Sequence, residues 1–135
     1  MSEIRVVRHK ELQTHTAQTP GMTRYPGIAG NTVGSKNIWV GYVVTEPDMR
    51  SGAHHHGDCE SAIYLIRGHI RVRFGERLEK SVEAGPGDFI YVPPRVIHQE
   101  ITVGEREPAE AIVVRDSQEN VVVDADLPEA VVQER

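Results

Sequence analysis

Residues 52–68 read GAHHHGDCESAIYLIRG, and residues 87–102 read GDFIYVPPRVIHQEIT. Side chains alternate across an extended strand, so His54 and His56 can converge on one ion while His55 points away. Neutral imidazoles suit Zn, Cu, Fe, Ni and similar ions, and a carboxylate from Glu60 would add charge and a harder ligand. His98 arrives from the second stretch, its approach fixed by Pro93 and Pro94. An HxH by itself is a weak signal, common in exposed polar loops. The weight comes from the pairing of the two stretches, each led by glycine and each running into β-branched and aromatic residues.

Outward from these stretches the chain keeps the same grammar. Twelve glycines and eight prolines punctuate short apolar runs, with no 3.6-residue stripe of the kind an amphipathic helix needs. The runs predict strands at Asn37–Thr45, Ala62–Arg67, His69–Phe74, Phe89–Val92, His98–Val103, Ala109–Arg115 and Asn120–Val123. Turn-rich pieces separate them, at Glu46–Gly52, Phe74–Arg77, Ala84–Asp88 and Gly104–Pro108. The fold class is therefore all-β, a sandwich, jelly roll or barrel. Residues 1–35 read as an irregular arm with one strand at Ile4–Val7, residues 36–124 as the barrel, and residues 125–135 as a tail, loose or packed on a partner chain.

The two stretches resemble the two motifs of the cupin superfamily. In the first, a glycine precedes HxH, and a carboxylate and a strand ending in glycine follow. In the second, Gly87 and Pro93 are separated by five residues and His98 stands five after that proline. The resemblance implies a jelly-roll barrel, that is, a double-stranded β-helix, with a metal held by His54, His56, Glu60 and His98. It also implies a homodimer. Arg95 stands where the second motif usually has glycine, and Thr102 where it usually has asparagine. Seven residues separate Glu60 from Gly68 where six are usual, so counting back from Gly68 places Ser61 at the carboxylate position. A bulge would restore Glu60 to the site. Asp58, His55 and Cys59 are the substitutes if the strand is shifted.

Composition sets the remaining bounds. The chain has 135 residues, enough for one sizeable core, with 39% hydrophobic and 26% charged residues, far from the composition of disordered chains. Fifteen basic residues against twenty acidic ones, a net charge of -5, and no basic run argue against a nucleic-acid partner. Cys59 is the single cysteine, so no intramolecular disulfide forms, and the reducing cytoplasm is the expected compartment. The polar N-terminus lacks the apolar stretch of a signal peptide, and no apolar run reaches membrane-spanning length.

One divalent transition metal (Fe, Mn, Ni, Cu or Zn) with an open position can polarise an oxygen-rich substrate, activate water or bind dioxygen. The expected function, taken from the resemblance and the three-His, one-Glu ligand set, is a small-molecule enzyme of dioxygenase or oxidoreductase type. The alternatives are a metal-dependent lyase or isomerase on a sugar or keto acid, and a small-molecule-binding module without turnover. His55, Tyr64 and Gln99 are the candidates for moving protons. Trp39 and Tyr42 read as core or rim aromatics, Cys59 as a packed residue, and Arg71 and Arg73 as part of a solvated outer face.

Overall fold

The β-branched runs find partners in two antiparallel five-stranded sheets. In the computed structural model, which describes residues 2–134, the strands are β1 (Met22–Ile28), β2 (Trp39–Thr45), β3 (His54–His55), β4 (Ser61–Arg67), β5 (Ile70–Phe74), β6 (Lys80–Ala84), β7 (Phe89–Val92), β8 (His98–Thr102), β9 (Ala109–Arg115) and β10 (Val123–Asp124). One sheet runs in the order β1-β2-β9-β4-β7 and the other β10-β3-β8-β5-β6. A single 3-10 turn at His9–Glu11 and a short helix, α1 (Glu129–Gln133), complete the described elements. No helix of the described residues is long and apolar enough to cross a membrane.

Period-two alternation fills the space between the sheets. On β4, Ser61, Ile63 and Leu65 are buried and face inward, while Tyr64 is exposed. Ile63, Leu65, Ile70, Val72, Ala84, Val92, Ala109 and Ala111 form one apolar cluster, and Met22, Val43 and Met49 a second. Gly68 turns the chain from β4 into β5 at φ 85°, and a Cβ there would lie 2.5 Å from the Pro108 carbonyl oxygen, so the turn needs glycine.

The strand expected at Asn120–Val123 is β10 at Val123–Asp124, and three further sequence expectations change. The strand near the N-terminus is β1 at Met22–Ile28 and not Ile4–Val7; it pairs with β2, with a register shift between Pro26 and Ile28 that accommodates the proline. The C-terminal segment packs on its own chain. Arg73 donates to the carbonyls of Val131 and Glu134, and Gln99 donates to that of Val132. Arg73 is therefore not solvated: its guanidinium lies buried beneath this segment and also donates to the Gln99 amide oxygen Oε1 at 2.9 Å. Arg71, on the same face of β5, does stay at the surface, paired with Glu83.

Candidate metal centre

β3 and β8 lie side by side, with His54 directly opposite His98 in register. His56 follows two residues after His54, and the three imidazoles gather with ring centroids 4.5–5.1 Å apart. Their ligand atoms all lie within 4.8 Å of one another. Each ring is oriented through Nδ1 by a backbone carbonyl: His54 by Gly52 at 2.9 Å, His56 by Val121 at 2.7 Å and His98 by Val96 at 2.9 Å. A carbonyl oxygen only accepts, so each Nδ1 carries the proton and each Nε2 keeps its lone pair. The donor set thus fits a divalent transition metal held through three Nε2 atoms.

Burial favours the same neutral state. It pushes His56 down to about 4, against the lesser pull of its bond to the Val121 carbonyl, and it lowers His98, which is only 1% exposed. Ligand nitrogens that resist protonation remain free to bind a cation near neutral pH.

Glu60 does not join the three histidines. It is exposed on the outer face, where its carboxylate raises the pKa of the Tyr91 hydroxyl. The reason is alternation. β4 begins with Ser61 facing inward, opposite Val92 and Arg115, so the residue before it faces outward. The register irregularity in β4 falls at its far end, between Leu65 and Arg67, and leaves Glu60 outside. Of the substitutes, Asp58 is exposed and paired with Arg95, the Cys59 thiol is buried and pushed up by desolvation, and His55 accepts a hydrogen bond from the Gly57 amide. None of them joins the group.

The imidazoles stand on the wall of a cavity of about 190 Å³ between the sheets. Its apolar depth comes from the two core clusters, and its polar positions include Arg24, Ser61, Glu100, Thr102 and Arg115. Tyr64, Gln99 and His55 do not line it. Tyr64 faces outward and packs at a tilt against Phe89, ring centroids 4.8 Å apart, while Gln99 is fully buried on the outer side of β8, bonded to Ser51, Val132 and Arg73. The residue that alternation does place beside His98 inside the cavity is Glu100, two positions along β8. Its signal was legible in the sequence as His98-x-Glu100 on one strand.

These two motifs on two packed sheets define a family: residues 41–115, more than half of the chain, match the Cupin domain, and the chain belongs to that family. Among solved structures it is similar to the polyketide cyclase RemF from Streptomyces resistomycificus, at 20% identity and a TM-score of 0.77 over 97% of this chain and 92% of that one. It is similar to KdgF from Halomonas sp., at 14% identity and a TM-score of 0.62 over 84% and 94%. A mutant of the oxalate decarboxylase OxdC from Bacillus subtilis shares 24% identity and a TM-score of 0.66 over 86% of this chain but 32% of its own. These likenesses are of fold. No curated protein gives a significant sequence match.

Proposed function

We propose that the chain is a metal-dependent enzyme of small-molecule chemistry that works without a change of oxidation state, as a lyase, isomerase or cyclase on an oxygen-bearing organic substrate. The observation that carries this reading is the convergence of three Nε2 donors, each locked by a backbone carbonyl, on the wall of a largely apolar cavity. The dioxygenase expectation drew its motive from a ligand set with a carboxylate, and Glu60 lies outside the group. A neutral three-imidazole set leaves the full charge of a divalent ion to act on substrate.

His54, His56 and His98 would hold the ion, which supplies Lewis acidity to a substrate carbonyl or hydroxyl oxygen. Glu100 takes or returns the substrate's proton through its carboxylate oxygens, from the same wall as His98. The apolar lining excludes water and orients a carbon skeleton. The fold likeness to a protein titled a polyketide cyclase, over nearly the whole length of both chains, supports this class. The same reading places a second copy of the chain on the outer face of the first sheet, where Phe89 and Tyr91 are 79% and 59% exposed beside Tyr64 and Ile66.

The test begins with untagged protein, stripped of metal and titrated with Zn. One equivalent is expected to bind, and His98→Ala is expected to abolish stoichiometric binding while the far-ultraviolet circular dichroism stays that of a β-barrel. Polyketone and keto-acid substrates are then offered to the Zn-loaded protein under anaerobic conditions. Turnover there, lost with Glu100→Gln, supports the proposal; turnover that requires oxygen and a redox-active metal refutes it.

A further inference from the structure

Among the described residues, three buried side-chain polar atoms have no hydrogen-bond partner: Thr102 Oγ1, Arg115 Nε and Arg115 Nη2. Both residues line the cavity that the three histidines face. Arg115 is 94% buried, being 6% exposed, and its guanidinium lies 3.9 Å over the Trp39 ring. Its Nη1 donates to Asn120 Oδ1 at 2.6 Å, the only hydrogen bond of its guanidinium among the described residues. Burial pushes it down to about 10, the charge of Arg24 adds to that, and the Cys59 thiol opposes it. Arg24, on the same cavity, differs: Glu100 supports its charge, and it donates to the Thr19 hydroxyl and the Ala17 carbonyl.

An isolated buried charge is costly, and proteins pair such groups or give them a ligand. The two free donors of Arg115, Nε–H and Nη2–H, lie on one edge of the guanidinium and point in parallel, the geometry that matches the two oxygens of a carboxylate. Among the described residues no acid meets these two donors. Ser61 stands directly opposite Arg115 across β4 and β9, at the position where the first motif would carry its carboxylate.

We infer that Arg115 recognises an anion, and that the cavity takes a largely apolar organic acid whose carboxylate lies across Nε and Nη2, in the space that Ser61 leaves open beside the three histidines. The inference deepens the proposed function by naming the substrate class, and it rests on that reading only for the cavity being the substrate site. Thr102 supplies a further hydroxyl within the same cavity for a polar substituent.

Trp39 is the single tryptophan, so intrinsic fluorescence reports directly on the ring beneath Arg115. Metal-free and Zn-loaded protein are titrated with benzoate and with benzamide, its uncharged counterpart of like shape. A saturable change with benzoate, and one at least about tenfold weaker with benzamide, is expected in both forms. Arg115→Met should weaken benzoate by about tenfold or more while leaving the Zn stoichiometry unchanged. Ser61→Glu, which supplies an internal carboxylate without removing Arg115, should weaken benzoate as strongly and covers the case in which Arg115→Met fails to fold. Equal binding of benzoate and benzamide, or benzoate binding unaltered by Ser61→Glu, overturns the inference. A failure of Zn to bind, with benzoate binding intact, would refute the metal reading and leave the anion site standing.

Discussion

Gly41 and Trp39 set the floor on which Arg115 rests, and Gly41→Ala is the sharpest perturbation of it. A Cβ at position 41 would lie 2.3 Å from Trp39 Cη2 and 2.6 Å from Cζ3, well inside van der Waals contact. Trp39 is 3% exposed, so the obstacle is the rigid face of a packed ring and not the end of a flexible chain. Gly41 is not in a left-handed conformation, so the cost is steric alone. Overpacking of this kind costs about 1–3 kcal/mol, and the loss of chain freedom in the unfolded state returns about 0.4–1 kcal/mol. An approach of 2.3 Å to a rigid ring belongs in the upper half of that range, about 2–3 kcal/mol, so the net is a loss of roughly 1–2.6 kcal/mol. With about 2.1 cal/mol/K of unfolding entropy per residue over this length, Tm should fall by roughly 4–9 °C. Gly52→Ala is the matched control, because a Cβ there meets nothing within 4 Å; its Tm should hold or rise slightly. Scanning calorimetry of the metal-free proteins reads both, and Trp39 emission should shift only in Gly41→Ala. Coincident melting of Gly41→Ala and wild type would show that the indole does not occupy the place assigned to it.

Glu60→Gln should leave Zn affinity within about twofold of wild type, since the carboxylate is outside the group of ligand atoms; a tenfold loss in competition against a chelating dye would return Glu60 to the site. The metal-free protein should lose stability as pH falls from 6.5 to about 4, because over that window the unfolded chain binds a proton at His56 that the folded chain refuses, and His98 acts in the same direction. Urea midpoints across this range should slope less steeply in His56→Gln, and identical slopes would refute the assignment. Arg95 holds φ at 63°, a left-handed conformation that costs a side chain about 1–2 kcal/mol, while its ion pair with Asp58 is exposed and worth little. Arg95→Gly should therefore raise the thermal midpoint, and a clear drop would mean that the pair outweighs the strain.

The strands that carry the barrel were legible because alternation and turn chemistry agree. Phe89–Val92 and Ala109–Arg115 fall where the β-branched runs place them. β1 was hidden by its own Pro26-Gly27, which reads as a break but sits at a register shift on an edge strand. β6, KSVEA, was hidden by exposure: four of its five residues face water, so no apolar face marks it. The histidines were legible because HxH and the second motif fix strand and register together. Whether a carboxylate joins them was not, since one residue of register decides whether position 60 or 61 faces inward, and spacing alone left both open. Tyr64 and Gln99 were assigned by residue type, and the pleat turns both away from the cavity. Arg115 carries no local signal at all, because its meaning lies in the missing partner across the sheet.

The carbonyls of Gly52, Val96 and Val121 orient the three imidazoles, and every residue type brings the same carbonyl. Substitution at those three positions therefore leaves the tautomers of His54, His56 and His98 untouched so long as the backbone path holds. Drift in sequence at those three positions leaves the orientation of the imidazoles unchanged, and the cavity residues are free to vary independently of it. A lineage of this barrel can change what it binds at Ser61, Glu100 and Arg115 without disturbing the three imidazoles.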